Sequence, residues 1–154
     1  MDRRHPARWA LPAIACALAL FLAACATVRE ATTTIQQGAA AQRAYDAGLA
    51  LYQAGRYAEG IPHFRRALTL SPDLDEARAS LAWSLYHTGR HAEAAREFRE
   101  GLQRQPHWEG LHDGLGWCLY EQGQYPAAAQ AFRDALELDS QYRDAGVGLA
   151  YSLY

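Results

Sequence analysis

The sequence predicts an all-α solenoid built from stacked helical hairpins. Glycines, phenylalanines and tyrosines each recur at intervals of 34 residues. The three sets are Gly55, Gly89 and Gly123; Phe64, Phe98 and Phe132; and Tyr52, Tyr86, Tyr120 and Tyr154. Repetition at a fixed period of about 20–50 residues is typical of chains in which each repeat stacks on its neighbours to form a continuous core.

Residues 75–108 show one copy of the repeat most clearly. A helical pattern containing Leu81 and Leu85 ends at Gly89, and a second one, containing Phe98, ends before Pro106. Glycine accepts the left-handed conformation that follows a helix, and proline cannot continue one. With a small residue, an aromatic four positions later and a closing proline, the unit resembles the tetratricopeptide repeat. The resemblance implies a right-handed superhelix whose concave groove is lined by the first helix of each repeat.

The repeat divides most of the chain into predicted segments. Repeats one to three occupy residues 41–74, 75–108 and 109–142, and residues 143–154 form either a capping helix or the start of a truncated fourth repeat. In the first repeat, Pro62 removes a backbone donor just beyond the first turn, which predicts a late or bent start of its second helix. The terminal segment has little polar surface, unlike a usual capping repeat, so we expect a partner or further chain to cover it.

The N-terminus has the pattern of an export signal. Arginines precede an apolar stretch over residues 10–24, which is shorter than the ~20 residues that a spanning helix needs. Leu22-Ala23-Ala24-Cys25 resembles the lipobox of bacterial lipoproteins. The resemblance implies removal of residues 1–24 and lipid attachment at Cys25. Ala26, in place of aspartate, implies an outer-membrane lipoprotein that faces the periplasm.

Two alternatives to lipidation remain at the sequence level. Cleavage after Ala26 at an A-x-A-like site would release a soluble periplasmic protein, and an uncleaved signal would remain as an anchor helix. In every case, residues 25–40 are predicted to form a flexible, threonine-rich linker without a periodic apolar face.

Charge and cysteine content exclude several classes of function. The formal net charge of −2 argues against nucleic acid, because phosphates require a basic surface. With Cys16 removed and Cys25 lipidated, Cys118 has no partner for an internal disulfide. It lies within a helical pattern and is predicted to be a small buried apolar residue.

The candidate binding residues lie on the first helices, on the side opposite Leu81 and Leu85. Aromatic and apolar side chains recur there with the period of the repeat. They are Tyr45, Leu49, Tyr52, Trp83, Tyr86, Trp117, Tyr120, Tyr151 and Tyr154. Rigid aromatic side chains with polar neighbours suit anchor contacts to a peptide or an amphipathic helix. These neighbours are Asp46, Gln53, Ser80, His87, Asp113 and Glu121.

No pattern in the sequence indicates catalysis, a metal or a cofactor. His87 and His91 are separated by Gly89 and need not share a helical face. Phosphate-binding loops, metalloprotease motifs and nucleophile elbows are all missing from the sequence. The basic clamp with which some tetratricopeptide repeat proteins hold a C-terminal carboxylate has no counterpart on the aromatic and acidic surface.

These observations predict a non-catalytic adaptor of the bacterial cell envelope, which binds a peptide or helix of an envelope complex and is held at the membrane by lipid. The alternative is a glycan-binding envelope protein that stacks cell-wall sugars on Trp83 and Trp117.

Overall fold

The computed structural model describes the backbone of residues 10–153 and the side chains of Arg29 and residues 32–153. The described residues form helices and turns without a strand, which confirms the all-α prediction. The helices are α1 (Ala10–Gln53), α2 (Tyr57–Leu70), α3 (Asp75–His87), α4 (His91–Arg104), α5 (Glu109–Glu121), α6 (Tyr125–Leu138) and α7 (Arg143–Leu153). The chain divides after Ala39 into two compact units.

The second unit begins with the last part of α1 and contains α2 to α7. Each turn between the two helices of a repeat contains a glycine with positive φ: 73° at Gly55, 76° at Gly89 and 73° at Gly123. The N–H of Gly55 donates to Tyr52 O over 2.9 Å, and the next N–H, that of Arg56, donates to Leu51 O over 2.9 Å. These bonds satisfy carbonyls left free at the end of α1. The predicted left-handed glycines are therefore confirmed.

Three phenylalanines form the centre of the core of this unit. Phe64, Phe98 and Phe132 lie on the second helices α2, α4 and α6, and each has 0% of its surface exposed. Leucines of the first helices, such as Leu81 and Leu85, pack in the same core. Burial of a phenylalanine stabilises a fold by about 1.5–3 kcal/mol.

Glycines on the first helices make room for these rings. A Cβ added at Gly48 would lie 2.7 Å from Phe64, and one at Gly116 would lie 2.6 Å from Phe132, both too close for carbon atoms. A Cβ at Gly114 would overlap Phe98, which belongs to the preceding repeat. Small residues of the first helices, in the same repeat or in the next, therefore make room for the rings.

The start of α2 differs from the prediction. Helix α2 begins at Tyr57, 34 residues before the start of α4, and Pro62 lies inside it, so the late start predicted from Pro62 is wrong. The N–H groups of Glu59 and Gly60 both donate to Arg56 O over 3.1 Å, and the Arg56 guanidinium pairs with the Glu59 carboxylate at 2.6 Å. The first turn is therefore closed before the proline removes a single donor.

The predicted linker is also different. Helix α1 runs through residues 26–40, where the sequence predicts a flexible segment. The four threonines of this segment are matched by four alanines, the residue with the highest intrinsic helix propensity, and its only glycine is Gly38. The side chains of residues 32–39 are all exposed, in agreement with the absence of an apolar face. The mobility of this segment stays a prediction.

The predictions for the signal segment fall mostly outside the described residues. Residues 1–9, which hold its arginines, are not described, and the same is true of the Cys25 side chain. Within the part of the chain that is described, no helix has both the length and the apolar character needed to cross a membrane.

Helix α7 covers one end of the stack of repeats. Ala145 and Gly148 are buried against α6, whereas Val147, Tyr151 and Leu153 are 45%, 60% and 59% exposed. The structure therefore shows exposed apolar side chains on this segment, as its sequence indicates.

We predict that alanine has opposite effects at two helical glycines. Gly114→Ala places a methyl group against the enclosed Phe98 ring and lowers the free energy of unfolding by about 2 kcal/mol. Gly146→Ala meets nothing within 4 Å and raises it by about 0.5–1 kcal/mol, because alanine favours the helix. Urea unfolding followed by circular dichroism measures both, and equal effects of the two changes would show that Phe98 is not confined.

Candidate functional site

Two adjoining cavities open on the side of the second unit formed by its first helices. The first cavity has a volume of about 250 Å³ and the second about 290 Å³. The first is lined by Tyr45, Leu49, Tyr52, Glu76, Ala79, Ser80, Trp83 and Trp108. The second is lined by Trp83, Tyr86, Asp113, Trp117, Asp144 and Val147. Apart from Trp108, which directly precedes α5, every lining residue lies on α1, α3, α5 or α7. We call the two cavities together the groove.

Trp83 belongs to both cavities. Its ring makes a T-shaped contact with Phe98 at 5.2 Å and another with Tyr86 at 5.7 Å between ring centres. The contact with Phe98 fixes the indole on the core, and the rest of the ring borders the two cavities. Trp83 is consequently half-buried, with a structural contact on one side and a free surface on the other.

Trp117 repeats this arrangement one unit later. Its ring meets Phe132 at 5.2 Å in a T-shaped contact and lines the second cavity. Tyr120 and Tyr151 lie near it, with their ring centres 6.3 Å apart, but neither of them lines the two cavities. Tyr151 is 60% exposed and extends the aromatic surface beyond the second cavity.

The structure therefore brings most of the predicted binding residues together. Six of them line the groove: Tyr45, Leu49, Tyr52, Trp83, Tyr86 and Trp117. Tyr154 lies outside the described residues. Among the predicted polar neighbours, Ser80 and Asp113 line the groove, whereas His87 stacks on Tyr57 with ring centres 4.3 Å apart. Whether these residues bind a ligand stays a prediction.

Comparison with known families explains the common geometry of the repeats. Two family models described as Tetratricopeptide repeat match residues 51–117 and residues 110–142. Together they cover residues 51–142, which is more than half of the chain. The chain belongs to the tetratricopeptide repeat family. No curated protein matches its sequence.

Solved tetratricopeptide repeat structures share the fold at low sequence identity. The OM64 domain from Arabidopsis has a TM-score of 0.74 and 17% identity over 76% of this chain and 97% of that chain. The second domain of human RPAP3, solved in complex with an HSP70 peptide, has a TM-score of 0.71 and 16% identity over 79% and 98%. MamA from Desulfovibrio magneticus has a TM-score of 0.69 and 20% identity over 73% and 63%. At these identities the similarity shows the fold.

Asp113 is the chemically unusual residue of this tetratricopeptide repeat groove. It is only 2% exposed, and its Oδ1 has no hydrogen-bond partner. Desolvation, and then repulsion from Asp144, raise the pKa of Asp113 from 3.8 to about 7, although a hydrogen bond from the Trp117 side chain opposes the rise. None of the described residues that line the two cavities is basic. The second cavity thus holds an acid without a cation to balance it.

Sequence reasoning missed Asp144, Val147, Glu76, Ala79 and Trp108 in the groove. The tryptophan positions were found because large side chains recur there, whereas the positions four and seven residues before them vary from repeat to repeat. Residues 45, 79, 113 and 147 form one such set, and residues 42, 76, 110 and 144 form another. Spacing of three and four residues places both sets on the same helical face as the tryptophans. Following that face would have found all of them except Trp108.

Cys118 lies beneath the groove, in α5. It has 0% exposure, as predicted for a small apolar residue, and burial raises the pKa of its thiol to about 12. The thiolate that would react with an electrophile or a metal is therefore disfavoured.

We predict that Asp113→Asn stabilises the protein above neutral pH. The folded protein holds a proton on Asp113 up to about pH 7, whereas the unfolded chain releases it near pH 4. Stability from this group is therefore fully present below about pH 4 and is lost as the pH rises to 7. The amide removes this loss, worth about 2–4 kcal/mol.

Urea unfolding of wild type and variant at pH 4.5 and pH 8 tests this prediction. The difference between the two proteins should grow with pH. Glu137→Gln, at an exposed carboxyl group on α6, is the matched control and should show no such growth. A difference for Asp113→Asn that stays constant with pH would contradict the raised pKa.

Proposed function

We propose that this protein is a non-catalytic adaptor that holds a peptide or helix of a cell-envelope protein in the groove. The observation that carries the proposal is the pair of adjoining cavities, which share Trp83 and are lined by half-buried aromatic side chains. Aromatic residues of this kind lose little side-chain entropy on binding and dominate interface energies. The two cavities follow one another along the stack, as the side-chain pockets for an extended ligand would.

Neighbouring structures support a peptide as the ligand. The second domain of human RPAP3 was solved with an HSP70 peptide and the first domain of Spaghetti with an HSP90 peptide, and both peptides end in the acidic sequence EEVD. Glu76, Asp113 and Asp144 line the groove of this chain, and none of its described lining residues is basic. Like charges repel, so we expect a ligand other than an acidic C-terminal tail.

We further propose that the adaptor works in the periplasm, anchored to the outer membrane through lipid on Cys25. Support comes from the basic and apolar residues that precede Leu22-Ala23-Ala24-Cys25. Several acyl chains on one residue bind a membrane stably, whereas a single chain does not. Release of a soluble form by cleavage after Ala26 is the alternative.

Cell-wall glycan is the weaker candidate ligand. A glycan chain laid across both indoles needs an open platform, whereas Trp83 and Trp117 are half-buried at the borders of two cavities that have room for single side chains. Sedimentation with purified peptidoglycan separates the two functions, because a peptide adaptor should remain in the supernatant.

Site-specific photo-crosslinking in cells tests the use of the groove. A photoreactive amino acid at Val147, which lines the second cavity and is 45% exposed, should form an adduct with a defined protein. The same amino acid at Arg133, an exposed position on α6, is the matched control and should form none. An adduct at Arg133 with none at Val147 would place the binding surface on the second helices and refute a groove adaptor.

Lipidation is tested by mass spectrometry of the mature protein. We predict an N-terminal Cys25 carrying acyl chains, and membrane association that Cys25→Ser abolishes because the attachment sulfur is lost. Cys118→Ser serves as the control, since that thiol is buried, and it should leave fractionation unchanged. A mature protein that begins at Thr27 without lipid would instead establish the soluble form.

A further inference from the structure

We propose that the second cavity of the groove is a binding pocket for an arginine side chain of the peptide ligand, held between the indoles of Trp83 and Trp117 by the carboxylates of Asp113 and Asp144. This inference rests on the proposed function, because it specifies what one part of the groove recognises.

An unsatisfied acid, Asp113, lies in the second cavity. Only 2% of the surface of Asp113 is exposed, and the residue lines the cavity. Its Oδ1 accepts no hydrogen bond. A buried polar atom without a partner costs free energy, so natural proteins seldom retain one without a reason. Asp144 on α7 faces it with a second negative charge, which makes ionisation of Asp113 still less favourable. A cationic ligand would supply both the missing donor and the missing charge.

Aromatic side chains form much of the lining of the second cavity. Trp83 and Tyr86 come from α3 and Trp117 comes from α5, so aromatic rings border the cavity on two sides. Ring faces attract a cation, most strongly in the case of tryptophan. The combination of indoles with carboxylates therefore suits a positive charge on an apolar stem better than a neutral or anionic group.

Indoles and carboxylates together favour arginine over lysine. A planar guanidinium can stack on an indole while its N–H groups donate in the plane to carboxylates, here from two different helices. An ammonium group is a compact, strongly hydrated charge and cannot stack in this way. The cavity volume of about 290 Å³ gives room for a side chain of this size. The first cavity has Glu76 but no buried acid, so the selectivity belongs to the second cavity.

Blocked pentapeptides titrated into the full-length protein test the pocket. Their central residue is arginine, lysine, citrulline or glutamate and the others are alanine. The NMR signals of the indole N–H groups report the site. The arginine peptide should shift the signals of Trp83 and Trp117 but not that of Trp108, which lines only the first cavity. Citrulline has the same shape without the charge and should bind about tenfold more weakly.

Variants identify the carboxylates. Asp113→Asn should remove the preference for arginine over citrulline, and Asp144→Asn, at an exposed position, should reduce it several-fold. Glu137→Gln should change nothing. Equal binding of arginine and citrulline peptides, unchanged preference in Asp113→Asn, or no arginine-specific shift at millimolar peptide would each overturn the proposal. In the first two cases a groove adduct at Val147 would leave the adaptor function standing.

The pH dependence of arginine binding provides a further readout. The titratable groups that face Asp113 are Asp144 of α7, Tyr142 in the turn before α7, and Tyr86 of α3. Desolvation raises the pKa of both tyrosines, so they stay neutral up to pH 9. Because Asp113 takes up a proton below about pH 7, affinity should rise between pH 5.5 and pH 8.5 and should become flat in Asp113→Asn. A flat profile in the wild type would show that the Asp113 charge does not contribute to binding.

Discussion

The structure depends on three buried phenylalanine rings, for which small residues on the first helices make room. Phe98 shows the constraint, because it leaves no room for a side chain at Gly114 of the following repeat. Where a first helix packs directly on a ring, only a small residue fits, and the large side chains of that helix must lie at other positions. Trp83 and Trp117 make T-shaped contacts with two of these rings, at 5.2 Å between ring centres, so the core sets the position of the groove aromatics. Trp83 and Trp117 therefore belong both to the packing around the core and to the surface of the groove.

Much of this arrangement can be predicted from the sequence, because it repeats. The glycine turns, the phenylalanine core and the first-helix aromatics recur at 34 residues, and any one copy confirms the others. The outcome is harder to predict where neighbouring residues have opposite effects on a helix. Pro62 predicts a late helix start, but the Arg56–Glu59 pair and the bonds to Arg56 O close the first turn. Residues 26–40 lack an apolar face, yet they continue α1 as a helix without burying one.

The burial of Asp113 could not be predicted in the same way. Asp113 occupies a position held by Tyr45 and Ala79 in earlier repeats, so no period marks it. Its burial results from the neighbours that surround it in three dimensions, among them Trp117 and Asp144. A polar residue on a helical face is ordinarily solvated, and only the structure shows that this one is enclosed. Departures from the repeat, rather than the repeat itself, distinguish this groove from others of the same fold.

The buried Cys118 has a practical consequence for the study of motion in this fold. Its thiol lies in α5 with 0% exposure and a pKa of about 12, so an alkylating reagent reaches it only when α5 separates from its neighbours. The rate of its modification in the native protein thus reports how often the middle of the stack opens. The chain carries its own probe of local unfolding, at the helix that also supplies Asp113 and Trp117 to the groove.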